Sequence, residues 1–134
     1  LAITGTATMA TTSGRVGIGT TTPATTLQVI GTATVSGGVI IGDGTAIVRV
    51  LSATASLDFL STSARSSSDL TITVTGAELS DVVAIGVPNA SASANSTYSA
   101  WVSAANTVTV RFNNYTNGAI DPAAGTFRAM VIKF

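Results

Sequence analysis

The chain has 134 residues, only 9% of them are Asp, Glu, Lys or Arg, and its six acidic and six basic residues cancel to zero net charge. This balance excludes long-range attraction to nucleic acid or to an anionic membrane surface. The absence of Cys and His excludes disulfides, thiolate zinc sites and catalytic triads built on either residue. No apolar run reaches the length of a transmembrane helix, so we expect no membrane insertion. From the residue types we also expect no cofactor and no metal.

The first predicted element is a glycine-rich segment, residues 1–45, which carries nine of the thirteen glycines and two charged residues, Arg15 and Asp43. Single apolar residues alternate with Gly and Thr around a turn at Pro23, and Gly-Thr-Ala-Thr occurs at residue 5 and again at residue 31. Repeats with one thin apolar stripe need a neighbour to cover it, so we predict an intertwined β shaft made by several copies. A flexible Gly/Thr linker is the alternative. The predicted core positions of the shaft are Val16, Ile18, Leu27, Val29, Val39 and Ile41.

Short alternating runs follow the glycine-rich segment, and they predict a second, strand-rich domain. We place the boundary near residues 45–52, which gives a shaft over 1–51 and a head over 52–134. No helical stripe of 3.6-residue period occurs, and short strands about ten residues apart are typical of an all-β sandwich or jelly roll. The last run has apolar residues on both faces, so we expect a strand buried on two sides. The predicted strands lie within 46–51, 56–60, 70–75, 83–87, 100–104, 107–112 and 126–134.

Two loops of the head are the candidate recognition sites. Residues 88–99 are small and polar and include Tyr98, whereas residues 113–118 combine three amides with one aromatic ring. Amide hydrogen bonds beside an aromatic face suit a carbohydrate or a protein surface, and turn chemistry explains the same residues equally well. Trp101 is predicted to be a core residue. The candidate receptor-binding residues are Tyr98, Asn113, Asn114, Tyr115 and Asn117.

The carboxylates do not indicate an active site. A glycosidase needs two carboxylates across a cleft, whereas Asp69, Glu78 and Asp81 fall at predicted strand ends and turns. We therefore expect them to accept hydrogen bonds from backbone N–H groups, and we expect no catalytic residues.

Two parts of the sequence resemble proteins of phage particles. Val-Gly-Ile-Gly-Thr-Thr-Thr-Pro at 16–23, followed by Leu-Gln-Val-Ile-Gly at 27–31, resembles the repeated shaft motif of bacteriophage tail and head fibres and related receptor-binding proteins. The stretches 70–87, 100–112 and 118–128 look like the small C-terminal domain that ends many phage structural proteins. The resemblance implies three chains wound into a β-rich shaft, like a triple β-helix or β-spiral, and ending in a trimeric β-sandwich head. This chain has only about two shaft units and no self-cleaving chaperone domain, which favours a short fibre, a capsid-attached fibre or a fragment.

The expected function is attachment of a virion to its host. In this reading the protein is a non-enzymatic homotrimer on the virion surface, joined to other virion proteins through its N-terminal end and binding a host glycan or protein receptor. A bacterial or archaeal extracellular filament subunit, pilin-like and polymerising by strand donation, is the main alternative. An enzymatic head that degrades host capsule is a third. Because the sequence opens at Leu1, we also expect a processed chain or a fragment of a longer one.

Overall fold

A computed structural model of the chain describes residues 14–134, and these residues form an all-β protein. They divide into two compact units between Ser36 and Gly37. The boundary that we predict after residue 51 lies inside a strand of the second unit. Residues 14–134 contain one 3-10 turn, Asn89–Ser91, and no α-helix, hence none that could cross a membrane. The first copy of Gly-Thr-Ala-Thr, at residues 5–8, lies outside the described residues.

The first unit holds two short strands, β1 (Val16–Ile18) and β2 (Leu27–Val29), which pair in parallel. The register sets Val16 beside Leu27 and Ile18 beside Val29, so the four apolar side chains share one face. The backbone continues this pairing, because the Ile30 N–H donates to the Ile18 carbonyl at 2.8 Å.

Glycines are required at two positions, in β1 and directly after it, where backbone atoms approach closely. A Cβ on Gly17 would meet the Thr20 carbonyl oxygen at 2.5 Å, and a Cβ on Gly19 would clash with the Ile30 carbonyl. Gly19 also has a φ of 77°, which L-residues with side chains rarely adopt. Gly17 is therefore required by the turn that follows β1, and Gly19 by the close approach of the chain after β2.

The second unit is a head of two three-stranded antiparallel sheets. One sheet has the order β3-β8-β5 and the other has the order β4-β7-β6. The strands are β3 (Arg49–Leu57), β4 (Ser67–Thr73), β5 (Val82–Gly86), β6 (Ser96–Ala104), β7 (Thr107–Asn114) and β8 (Gly125–Lys133).

One apolar core joins the inner faces of the two sheets. Val108, Val110 and Phe112 alternate inward along β7, while Phe127, Ala129 and Val131 do so along β8, and all six are fully buried. Phe59 fills the space between the central strands, with its ring centroid 5.8 Å from that of Phe127 and 6.1 Å from that of Phe112. The central strands β7 and β8 thus supply half of the twelve buried core residues, as expected of strands that have partners on both edges.

The alternating runs predict the strands well, with two corrections. The runs at 46–51 and 56–60 belong to one continuous strand, β3, because Ser52 and Thr54 continue its outward face between them. The last strand is not buried on two sides within the chain. Phe127 and Val131 face the core, but Met130 is 39% exposed and Phe134 is 62% exposed.

Candidate functional site

The end of β7 carries a buried amide that organises the neighbouring loops. Asn114 is 1% exposed, and its Nδ2 donates to the carbonyls of Thr62 (3.0 Å), Ser63 (3.1 Å) and Gly118 (2.8 Å). Its Oδ1 accepts from both the backbone N–H and the hydroxyl of Thr116, at 2.9 and 2.7 Å. Asn114 therefore holds the loops in place and is almost fully buried.

Tyr115 follows this anchor and is exposed. Its side chain leans towards β6, where its phenol oxygen lies 3.2 Å from the Thr97 hydroxyl. Its backbone N–H donates to the Asn95 carbonyl at 3.1 Å. The structure thus brings the two predicted loops, 88–99 and 113–118, together at Tyr115.

Arg65 approaches the same place from the β4 side. Its Nε and Nη2 both donate to the Oδ1 of Asn117, at 3.1 and 2.7 Å. Its backbone has a φ of 54°, an unusual value for a residue other than Gly, Asn or Asp. Asn117, a predicted recognition residue, therefore orients a guanidinium that the sequence does not single out.

Arg65 and Tyr115 are among the residues that line an open groove, which we call the Arg65 groove. Its volume is about 350 Å³. Ser67 and Asn113, directly paired across β4 and β7, share its outward-facing surface. The lining residues are Arg65, Ser66, Ser67, Asn113, Asn114 and Tyr115.

Tyr98 does not belong to this exposed set, although it is among the predicted recognition residues. Its ring lies against three core rings, with centroid distances of 5.1 Å to Phe112, 5.2 Å to Phe127 and 5.5 Å to Phe59. Its hydroxyl donates to the Ser91 carbonyl at 3.0 Å, and burial raises the pKa of this phenol. The predicted loop 88–99 is not irregular throughout its length. It contains the 3-10 turn Asn89–Ser91, and its last four residues belong to β6.

Trp101 lies on the outer face of its sheet, so the prediction of a core tryptophan is wrong. The register places it beside Thr109, and 38% of the residue is exposed. The Arg111 guanidinium stands 4.9 Å from the centre of the indole ring. That guanidinium also donates two hydrogen bonds of 2.7 Å to the carboxylate of Asp69, which hold the pKa of Asp69 below its ordinary value. This outer face carries a neutralised ion pair stacked on an aromatic ring.

Two further carboxylates, Glu78 and Asp81, make structural contacts. Asp81 accepts a hydrogen bond from the Glu78 backbone N–H at 2.9 Å, as its turn position predicts, and it pairs with Lys133 at 3.0 Å. These contacts lower the pKa of Asp81, the backbone hydrogen bond most strongly. Within residues 14–134, no group of three or more Asp or Glu side chains is placed to hold a metal ion.

The predicted shaft positions fall into two groups. Val16, Ile18, Leu27 and Val29 meet in the β1–β2 pair, where Ile18 and Leu27 are exposed. Val39 belongs to the second unit, and it forms an antiparallel bridge with Ile47 across a turn near Gly42. Ile41, in the same hairpin, is 75% exposed.

No family model matches the chain, and comparisons with curated proteins and with solved structures find no match either. The residue that sequence reasoning misses is Arg65. A lone Arg inside the serine-rich run 61–68 is the signal that could have identified it.

Proposed function

We propose that this protein is a non-enzymatic fibre protein of a bacteriophage virion, a tail or head fibre that attaches the particle to its host. Three chains wind together through the N-terminal segment, and each chain ends in a β-sandwich head with jelly-roll-like layering. The N-terminal end joins other virion proteins, and the head contacts a glycan or protein receptor on the host surface.

The observation that supports assembly is the exposure of large apolar side chains before β3. Leu27 is 63% exposed and Ile18 is 55% exposed, although both belong to a paired strand. Soluble single chains seldom leave so many large apolar groups in water, and contiguous patches of them usually mark an interface. The exposed apolar residues of this region are Ile18, Leu27, Ile30, Val35, Val39, Ile40, Ile41 and Val48.

The β1–β2 pair favours copies of the same chain as the missing cover. Two strands of three residues each are too few to be stable alone in water. Because the two strands pair in parallel, strands from parallel copies could join them with the same geometry. Winding three copies together would bury the shared face of Val16, Ile18, Leu27 and Val29.

The head also offers a face on which copies could meet. On the outer side of the β3-β8-β5 sheet, the register aligns Val50, Ile132 and Val82 in one row, and Met130 lies beside Ala84 in the next row. Val50 is 57% exposed and Val82 is 51% exposed. This apolar outer face supports the proposal that the head, like the shaft, is trimeric.

Sedimentation velocity of the full chain at micromolar concentration tests the assembly. We expect one species at three times the 13.3 kDa mass of a chain. A compact monomer would overturn the proposal, and open-ended polymers of many sizes would support the pilin-like filament instead.

Binding of the fluorescently labelled protein to a panel of bacterial strains tests attachment, read by flow cytometry. Tyr115→Ala and Asn117→Ala should lower the binding without lowering the Tm, because both residues are exposed, Tyr115 lines the Arg65 groove and Asn117 orients Arg65. Thr54→Ala, on the outer face of the other sheet, is the matched control and should bind like the unchanged protein. Equal binding by all variants would show that the Arg65 groove is not the receptor site.

A further inference from the structure

We infer that the Arg65 groove binds a carboxylate-bearing sugar, such as a uronic or sialic acid residue of a cell-surface polysaccharide. The inference rests on the proposed attachment function and names its ligand class. A volume of about 350 Å³ lies at the lower end of small-molecule sites and suits a single sugar residue.

The charge of the groove points to an anion. Among residues 14–134, no carboxylate lies within salt-bridge distance of Arg65. Arg111 shows the contrasting case, because Asp69 occupies two of its N–H groups and neutralises it. Arg65 is the one permanently charged side chain that lines the groove. A guanidinium is planar and binds a carboxylate through two parallel hydrogen bonds.

The guanidinium is also held in position before a ligand arrives. Asn117 accepts two of its five N–H groups, so three remain free to donate. A side chain that is already oriented loses less conformational entropy when it binds.

The neutral lining of the groove suits the rest of a sugar. The hydroxyl of Ser67 and the amide of Asn113 both donate and accept hydrogen bonds, which matches the hydroxyl groups of a pyranose. Tyr115 is 58% exposed and offers a flat aromatic face for the apolar face of the ring. A bare inorganic anion would use only Arg65, whereas an acidic sugar would use all four residues.

Saturation-transfer NMR with the full-length protein tests the ligand class. The probes are D-glucuronate and N-acetylneuraminic acid, with D-glucose as the neutral sugar and inorganic phosphate as the bare anion. We expect saturation transfer to at least one acidic sugar, none to glucose, and weaker competition by phosphate. Absence of transfer to both acidic sugars overturns the inference, and competition by phosphate at equal concentration reduces the site to a general anion site, which also overturns it.

Matched variants then test the residues. Arg65→Gln should weaken binding of the acidic sugar about tenfold or more, because a charge-assisted hydrogen-bonding group is lost. Arg65→Lys should recover part of it, and Tyr115→Ala should weaken it several-fold. Arg128→Gln removes the same charge from the outer face of the other sheet and should leave binding unchanged. Equal affinity of the Arg65→Gln and Arg128→Gln variants would overturn the assignment.

Failure of this inference is distinguishable from failure of the proposed function. A trimer that binds cells equally well with Arg65→Gln keeps the attachment function and loses the sugar-acid site. A monomer that binds no cells but still binds an acidic sugar through Arg65 keeps the site and loses the fibre.

Discussion

The N-terminal segment and the head use the same alternation of apolar and polar residues, yet they treat the apolar residues differently. In the head, Ile72, Val110 and Phe127 are fully buried because a second sheet lies over each inner face. In the β1–β2 pair, Ile18 and Leu27 have the same periodicity and remain exposed. Alternation therefore specifies which face is apolar, but burial requires a second layer, and within residues 14–134 only the head contains that layer.

The largest expected effect comes from removing the N-terminal segment. Deletion of residues 1–45 should convert the oligomer largely to monomers, because it removes most of the exposed apolar residues before β3. The head should keep its cooperative melting transition, since every strand from β3 onward is retained. Sedimentation velocity and thermal melting measure the two outcomes. An unchanged oligomeric state would mean that the head alone drives assembly.

A matched pair of truncations separates the two regions at single residues. Phe112→Ala should cost about 3–5 kcal/mol of head stability, because it opens a cavity beside Phe59 and Tyr98. Leu27→Ala should leave the denaturant midpoint of the head unchanged and weaken self-association. Denaturant unfolding and sedimentation give the two readings. Equal loss of head stability in both variants would contradict the division into two regions.

Asn113 and Asn114, the last two residues of β7, should differ in their effect on the stability of the head. Asn114→Ala removes a buried amide that makes hydrogen bonds to three carbonyls and to Thr116, and it should cost about 2–3 kcal/mol. Asn113→Ala changes a groove-lining side chain and should stay within about 0.5 kcal/mol. Chemical denaturation measures both. A larger loss for Asn113 would show that the anchor of the loop has been assigned to the wrong residue.

Two glycines, one beside β1 and one at the start of the second unit, test the packing of the β1–β2 pair. Gly19→Ala should destabilise the β1–β2 pair by about 1–2 kcal/mol, because its φ is positive and the Ile30 carbonyl occupies the place of a Cβ. Gly37→Ala should be tolerated, since open space surrounds that position. The dissociation midpoint of the oligomer reports both effects. Equal midpoints for the two variants would argue against the close approach at Gly19.

The smallest effect is the pH dependence of the head. The pKa of Asp81 lies below its ordinary 3.8, so its contribution to stability is present above that pH and is lost as the pH falls through the lowered pKa. Contact with Asp81 raises the pKa of Lys133 above 10.5, so its contribution is present below that pH and is lost as the pH rises through the raised pKa.

Asp81→Asn tests this linkage. Its Tm should lie below that of the unchanged protein at neutral pH, and the difference should shrink below pH 3.8. Asp58→Asn, an exposed carboxylate outside this ion-pair network, is the control and should leave the Tm unchanged. A Tm difference for Asp81→Asn that is constant across the acid range would contradict the linkage.

The local pattern was sufficient for the strands but not for the roles of the aromatic residues. Val108, Val110 and Phe112 could be assigned to one buried face because a strand has a two-residue period. Tyr98 and Trp101 lie three residues apart in one strand and therefore face opposite sides of the sheet. Alternation puts them on opposite faces, but the arrangement of the sheets decides which face is inside.

The sequence by itself determined the all-β class, the approximate strands and the contrast between a glycine-rich segment and a strand-rich head. Those properties depend on residue type and on spacing over a few residues. Tertiary structure decided that Asn114 is an anchor and that Arg65 meets Asn117, 52 residues further along the chain. Such contacts depend on which strands pair and in what register, and the local sequence does not determine either.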